Sequence, residues 1–300
     1  MSSALRRKHV PQSGEMRVQT PKGGVPRGSE RKGLDPGAAI PHVCPVNPEA
    51  LPLRDKVAVV TGASRGIGRA IAVEFARAGA DVVVTARTTE SAPSKLPGTI
   101  EETARQVQDL GRRALAIATD VSDEAQVDEM ARLTLQEFGR IDILVNNAGI
   151  SFPAPFHQTP RKRWDLVLNV NLRGPVLCTQ AFLPHMTEQG SGRIINISSY
   201  LAEVLMPGML SYSVSKIALE KLTQGLAAEL QQYHIAVNAL RIEMNIATEG
   251  WVFRNPEIDY STWEKPEAAA QAALWLATRD PSYSGKVVTI AEVRQALAAG

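Results

Sequence analysis

Tyr212 and Lys216 stand four residues apart in the stretch SYSVSK, and Ser199 lies upstream of them at the end of the apolar run GRIINIS. On a helix, positions i and i+4 share a face, so this spacing brings a phenol and an ammonium together. Tyrosine, with an ordinary pKa of about 10, is a poor base near neutrality unless a neighbouring ammonium favours its phenolate. The pair suits proton exchange with an alcohol or carbonyl oxygen, and Ser199 suits holding that oxygen. A lone Tyr-x-x-x-Lys is also the pattern of a surface tyrosine lying along a lysine stem, so the rest of the chain must decide.

A second chemical signal is TGASRGIG, which places Gly62, Gly66 and Gly68 after an apolar run and at the start of a helix-period segment. Gly62 permits a tight turn, Gly66 lets the backbone approach a pyrophosphate, and Gly68 lets the helix close on the sheet, while the helix N-terminus offers N–H groups to the anion. Ser64, Arg65 and Ile67 lie within the same turn. The next apolar run ends VVVTART, where an acidic residue would read the ribose hydroxyls of NAD. Arg87 stands there instead, and a guanidinium suits a 2′-phosphate through charge-assisted bonds. Arg65 is a second candidate for that phosphate, and NADP(H) is expected over NAD(H). Asp120, followed by Val121, ends a third run, and an adenine contact for Asp120 or a helix-capping role for that region suits it.

The elements that must carry these groups alternate. Apolar runs at VAVV, VVV, ALAIAT, IDILVNNAG, GRIINIS, IAVNALRI and GKVVTI are separated by helix-period segments, including SDEAQVDEMARLTLQEF, which Ser122 or Asp123 can cap, and a stretch from about 160 to 188. Short continuous strands of this kind are buried on both faces of a parallel sheet. The expectation is a doubly wound, seven-stranded α/β fold in one domain over residues 53–300. In such a sheet the carboxyl ends of the strands share one edge, where ligands bind. Asn147, Ala148 and Gly149 of NNAG, Ser199 and Tyr212 therefore converge.

With 300 residues, 44% hydrophobic and 21% charged, the chain has ample material for such a core. Residues 1–35 hold eight Lys or Arg against three Asp or Glu, and 1–52 read as a disordered or extended basic arm rich in Pro and Gly. The arm has no aromatics for base stacking and lacks the apolar core of a secretory signal. No run approaches the length of a membrane span. A cytoplasmic protein without nucleic-acid partners is expected. Cys44 and Cys178 are far apart, so no disulfide is expected, and the scattered histidines offer no metal site.

Taken in order, TGxxxGxG, NNAG and Ser with YxxxK resemble the short-chain dehydrogenase/reductase family, classical type, over roughly residues 54–290. The resemblance implies that Tyr212 is the acid/base, Lys216 its partner and a ribose ligand, Ser199 the substrate-oxygen stabiliser, and Asn171 of LNVNLRG the anchor of a water linked to Lys216. Asn169 competes for that last role. The resemblance further implies a homodimer or homotetramer and a cofactor hydroxyl from Thr248. KLPGTIEETARQVQDLGRRALAIATDV and the longer loop from Thr88 to Pro97 are similar to the hydroxysteroid dehydrogenase-like branch, and a form of it without the lipid-carrier domain that some members carry is expected.

The chain departs from the family where Pro-Gly usually follows the sixth strand: Ile242 and Glu243 stand there. The next segment, about 244–265, is expected to form a substrate lid. Its Trp251, Phe253, Tyr260 and Trp263 suit either an apolar substrate pocket or packing of the lid itself. An oxidoreductase moving hydride between a nicotinamide cofactor and an apolar alcohol or carbonyl is the expectation. A non-enzymatic dinucleotide-binding sensor or scaffold is the alternative, and a nucleic-acid or membrane tether in the basic arm is a third reading.

Overall fold

The computed structural model describes residues 51–299. The basic arm up to residue 50, with Cys44, lies outside the described residues. In chain order the elements are β1 (Val57–Thr61), α1 (Gly66–Arg77), β2 (Asp81–Ala86), α2 (Ile100–Asp109), β3 (Ala114–Ala118), α3 (Glu124–Phe138), β4 (Ile143–Asn146), α4 (Arg161–Leu168), α5 (Gly174–Gln189), β5 (Gly192–Ser199), α6 (Leu210–Leu230), β6 (Ile235–Ile242), α7 (Glu249–Arg254), α8 (Pro266–Ala277), β7 (Val287–Thr289) and α9 (Ile290–Ala299). The strands form one seven-stranded sheet in the order β3-β2-β1-β4-β5-β6-β7, with every pair parallel.

The apolar runs explain this sheet because side chains alternate between its faces. Val59, Leu144, Ile194 and Val237 join Val127, Met130, Phe182 and Met186 of α3 and α5 in one cluster. Their neighbours Ala58, Val60, Val145, Ile195 and Leu240 join Ile71, Phe75, Val107, Ala269 and Ala273 of α1, α2 and α8 in another. Both faces are thus covered, as continuous apolar strands require. Cys178 is buried among the first of these sets, and burial pushes its thiol up to about 12.

Three helices go beyond the sequence expectations. α2 starts at a reciprocal cap in which the Thr99 side chain accepts from Glu102 N–H and the Glu102 side chain accepts from Thr99 N–H, the pattern T-x-x-E. α9 starts at a similar exchange between Thr289 and Glu292. The third, α7, occupies one turn and a half of the expected lid. Glu243 adds a second cap to α9: its carboxylate accepts from Ile290 N–H at 3.1 Å and Ala291 N–H at 2.7 Å. The unusual glutamate thus meets the partial positive end of a helix.

The helical stretch from about 160 continues through α4 and α5 with a widened turn over Asn169–Arg173, where Gly174 N–H donates to Asn169 O. Such single wide turns recur at functional sites. This one leaves Asn169 exposed and Asn171 fully buried.

Candidate active site

The carboxyl edge of the sheet carries the site. β1 and β4 are neighbours, while the chain leaves β1 toward β2 and β3 on the other side. A crevice opens at such a switch point. Gly62 and Gly66 in the turn after β1 have φ of +67° and +57°, values that favour glycine. At Gly68 a Cβ would lie 2.4 Å from Gly62 O and from Asn147 Nδ2, so the turn closes on itself only with glycine there.

Asn147 braces that turn, because its Nδ2 donates to Thr61 O at 2.8 Å and Gly62 O at 3.2 Å. Thr61 Oγ1 in turn accepts from the N–H groups of Asn147 and Ala148. Thr103 of α2 donates to Ala63 O at 2.9 Å. Arg65, the residue before α1, gives the helix no side-chain cap, and a carboxylate from the lid segment takes the first N–H instead, as an anion does at such a terminus. Glu249, the first residue of α7, accepts from Gly66 N–H at 2.9 Å and pairs with Arg69. Thr248 is thereby held against the turn, 3.4 Å from where a Cβ on Gly66 would stand. Gly66, Arg69, Val73, Glu249 and Phe253 contribute to the lining of an adjoining cavity of about 720 Å³.

At the other end of the turn the two arginines differ. Arg65 donates to Pro97 O, Leu96 O, Gly98 O and Ser94 Oγ, so the loop before α2 engages its guanidinium. Ser64 is buried beneath it. Arg87 is exposed and meets only the edge of Asp120, at 3.5 Å. Asp120 also accepts from Ser122 N–H and Oγ–H. Burial pushes the Asp120 carboxyl up, but the Ser122 bonds and Arg87 bring it below the usual range. Of the two expected caps of α3, Asp123 is the one used, its side chain accepting from Gln126 N–H. Val121 is buried, with its side chain 2.9 Å from where a Cβ on Gly174 would stand, and Ile67 packs on the core from α1.

Next to this crevice the end of β5 meets α6. Tyr212 is half-buried. Packing around its ring pushes the phenol above its ordinary 10, and the nearby Ser199 hydroxyl pulls it partly back. Lys216 Nζ lies 5.6 Å from the Tyr212 ring centroid and donates to Ile197 O at 2.7 Å. Spacing alone suggests an ammonium that lowers the tyrosine; here the ammonium is turned to a backbone carbonyl, and burial keeps the phenol protonated. Burial also lowers Lys216 to about 8, against a smaller upward pull from Glu220.

Asn171 accepts from Ile150 N–H at 2.8 Å and donates to Ile150 O at 2.9 Å and Ser215 Oγ at 3.0 Å. It locks the segment after NNAG onto α6. A Cβ on Gly149 would stand 3.6 Å from Asn171 Oδ1 and 3.7 Å from Lys216 Nζ, so Gly149 leaves an opening beside both. Below these groups, Asn146 donates to Asn196 and Asn196 to Thr223, at 2.9 and 2.8 Å. This buried ladder joins β4, β5 and α6.

The segment expected as a lid is closed at its base by bonds from Ala247 N–H to Glu264 O and from Glu264 N–H to Asn245 O. Trp263 stacks edge-on with both Trp251 and Tyr260, and Tyr260 donates to Trp251 O and Asn255 O. Three of its four aromatics thus pack on one another, while Phe253 is exposed. Sequence reasoning missed Ser198, Glu220, Arg241 and Glu249. Glu220 was accessible to it, since it follows Lys216 by the same four-residue step that links Tyr212 to Lys216. Among the described residues no three His, Cys, Asp or Glu side chains cluster as metal ligands, and no helix is long and apolar enough to cross a membrane.

Residues 56–250 match the family described as short chain dehydrogenase. Hydroxysteroid dehydrogenase-like protein 2 of Homo sapiens is 37% identical over 232 residues, covering 76% of this chain and 55% of that protein. The chain spans about half the length of the curated relatives it matches first. The 3-oxoacyl-[acyl-carrier-protein] reductase FabG of Thermotoga maritima is 34% identical over 249 residues, covering 79% of this chain and 97% of that protein. Among solved structures, a gluconate 5-dehydrogenase from Burkholderia cenocepacia in complex with NADP and tartrate has a TM-score of 0.71 and 30% identity over 80% of this chain and 95% of that one.

Proposed function

The chain belongs to the short-chain dehydrogenase family, and from that premise we propose that it is an NADP(H)-preferring oxidoreductase of apolar alcohols and carbonyls, with Tyr212 as proton donor and acceptor. The observation that carries this reading is the meeting of three elements at one sheet edge: Ser199 at the end of β5, Lys216 buried on α6 with its ammonium 5.6 Å from the Tyr212 ring centroid, and the glycine turn that opens α1. The glycine turn fits a diphosphate at the Gly66 N–H, where the Glu249 carboxylate already serves as an anionic stand-in that the nucleotide would displace. When bound, the nicotinamide supplies or accepts the hydride.

The chain's own residues do the rest. Ser199 Oγ holds the substrate oxygen beside Tyr212 Oη. The protonated phenol gives its proton to a carbonyl oxygen as the carbon is reduced, and takes one from an alcohol in the reverse direction. Lys216 keeps positive charge next to the phenolate that forms. Asn171 fixes the segment carrying Gly149 against α6. Trp251, Phe253 and the loop after Ser199, with Leu205 and Met206 exposed, support an apolar substrate. The Glu243 carboxylate, which stands where Pro-Gly is usual, is taken up by the α9 N-terminus, which weighs against the sensor reading.

Titration of nucleotide fluorescence with NADPH and NADH tests the cofactor side. Arg87→Ala is expected to weaken NADPH about 10- to 100-fold, as for loss of a charge-assisted hydrogen bond, and to leave NADH nearly unchanged. A panel of apolar carbonyls then tests turnover. Equal loss of both nucleotides would remove Arg87 from phosphate recognition, and no binding of either would sink the enzyme reading. The α6 side chains Leu210, Val214 and Ile217 are exposed on one stripe, which supports a second copy packing there. Sedimentation velocity is expected to give a dimer or tetramer, and a monomer at micromolar concentration would refute it.

A further inference from the structure

Behind Tyr212 and Lys216 a line of alternating charge runs to the surface. Glu220 lies one turn past Lys216 on α6 and is 4% exposed. Its carboxylate accepts from Ser198 Oγ–H at 2.7 Å and from Arg241 Nε and Nη2 at 2.9 and 2.8 Å. Arg241 sits at the end of β6, in register with Ser198. Its remaining nitrogen, Nη1, donates to Glu203 Oε2 at 2.5 Å, and Glu203 belongs to the exposed turn that follows Ser199. The sequence of signs from solvent inward is Glu203, Arg241, Glu220, Lys216.

Stability alone does not account for this line. A buried ion pair loses so much hydration that well-packed apolar residues often serve the fold as well or better. What the line does achieve is a grip on two consecutive residues of β5 next to Ser199: Lys216 on Ile197 O and Glu220 on Ser198. We propose that Glu220 and Arg241 are positioning residues for the proton-transfer pair: Glu220 fixes the end of β5 and faces the Lys216 ammonium, while Arg241 offsets that carboxylate and ties it to the loop after Ser199. Their relevance to catalysis rests on the reading of Tyr212 and Lys216 given above.

The charged surroundings give the two residues opposite signatures. On its own helix Lys216 meets Tyr212 and Glu220; from other elements it meets neutral groups, Ile197 O, Gly149 and Asn171. Glu220 raises it. Arg241 is faced by Glu220, Glu203 and, from α9, Glu292. Glu220→Gln removes the anion and leaves a cation behind it, so Lys216 should lose its proton at lower pH. Arg241→Gln leaves the anion without its offset, so Lys216 should hold its proton to higher pH.

The test is a titration of the full chain carrying lysine labelled with 13C at Cε, the Lys216 signal being identified by its loss in Lys216→Met. The native midpoint is expected near 8, lower by about half a pH unit in Glu220→Gln and higher by about as much in Arg241→Gln. The double variant should return close to the native value. Shifts of the same sign, or none in either folded variant, would overturn the proposal, because a merely structural pair has no reason to move the two midpoints apart. Should Glu220→Gln fail to fold, the decisive result is a rise in Arg241→Gln that the double variant abolishes. The midpoint is read without nucleotide or substrate. Opposite shifts with no carbonyl turned over would therefore uphold the charge line and sink the enzyme reading instead.

Discussion

Tyr212→Phe is expected to cut carbonyl reduction by about a hundred- to ten-thousandfold, the range for loss of a general acid, with nucleotide affinity nearly unchanged. The substitution removes the hydroxyl alone. The ring keeps its place against Lys216 Nζ, 5.6 Å from the centroid, and Ser199 and Lys216 remain to hold their partners. Because burial holds the phenol above its ordinary 10, the proton to be donated is present throughout the neutral range, and reduction by the native protein should depend little on Tyr212 ionisation there. Alcohol oxidation needs the opposite form, so its rate should climb as pH rises toward the phenol's pKa. Initial rates in both directions across pH 6–10 check both statements. A Phe variant within about tenfold of native, well short of the roughly hundredfold at which the loss of a general acid begins, would assign the proton to another donor.

How much of this was legible in the sequence depends on the physics of each element. The strands were legible because a parallel sheet buried on both faces demands continuous apolar runs; the run IAVNALRI and the strand β6, Ile235–Ile242, coincide from end to end. α2 was harder, since its first signal is the polar exchange between Thr99 and Glu102 rather than an apolar run. The choice between Asn169 and Asn171 turns on helix phase, and the widened turn places the second one inward. Partners that come from different strands were not legible. Nothing local says that Arg65 is engaged by the loop at 94–98, that Glu243 caps α9, or that the end of β6 brings Arg241 onto Glu220. The glycine spacing implies a tight turn; that Asn147 braces it depends on β4 lying beside β1.

Lys216→Met is expected to abolish turnover while leaving the protein at least as stable at pH 7, and this combination separates a residue kept for chemistry from one kept for the fold. Holding the ammonium at about 8 instead of its ordinary 10.5 costs the folded state roughly 3 kcal/mol at neutral pH. Methionine has a similar reach and no charge to desolvate, but it leaves Ile197 O without its donor, a loss of about 1–3 kcal/mol. The net should lie between about zero and 2 kcal/mol in favour of the variant, or up to several degrees in melting temperature at about 2–4 °C per kcal/mol for a chain of this size. The pH dependence carries a sign. Between about 8 and 10.5 the unfolded chain still binds the Lys216 proton that the folded protein has released, so native stability rises with pH through that window. The cost is fully present below it and gone above it. The Met variant lacks this group, so its stability advantage should shrink as pH rises and reverse sign once only the orphaned carbonyl remains. Thermal unfolding of both proteins from pH 6 to 10.5 makes the comparison. A variant that is less stable at pH 7 by as much as it is at pH 10 would mean that the ammonium is not strained in the folded state, and that Glu220 already compensates its burial in full.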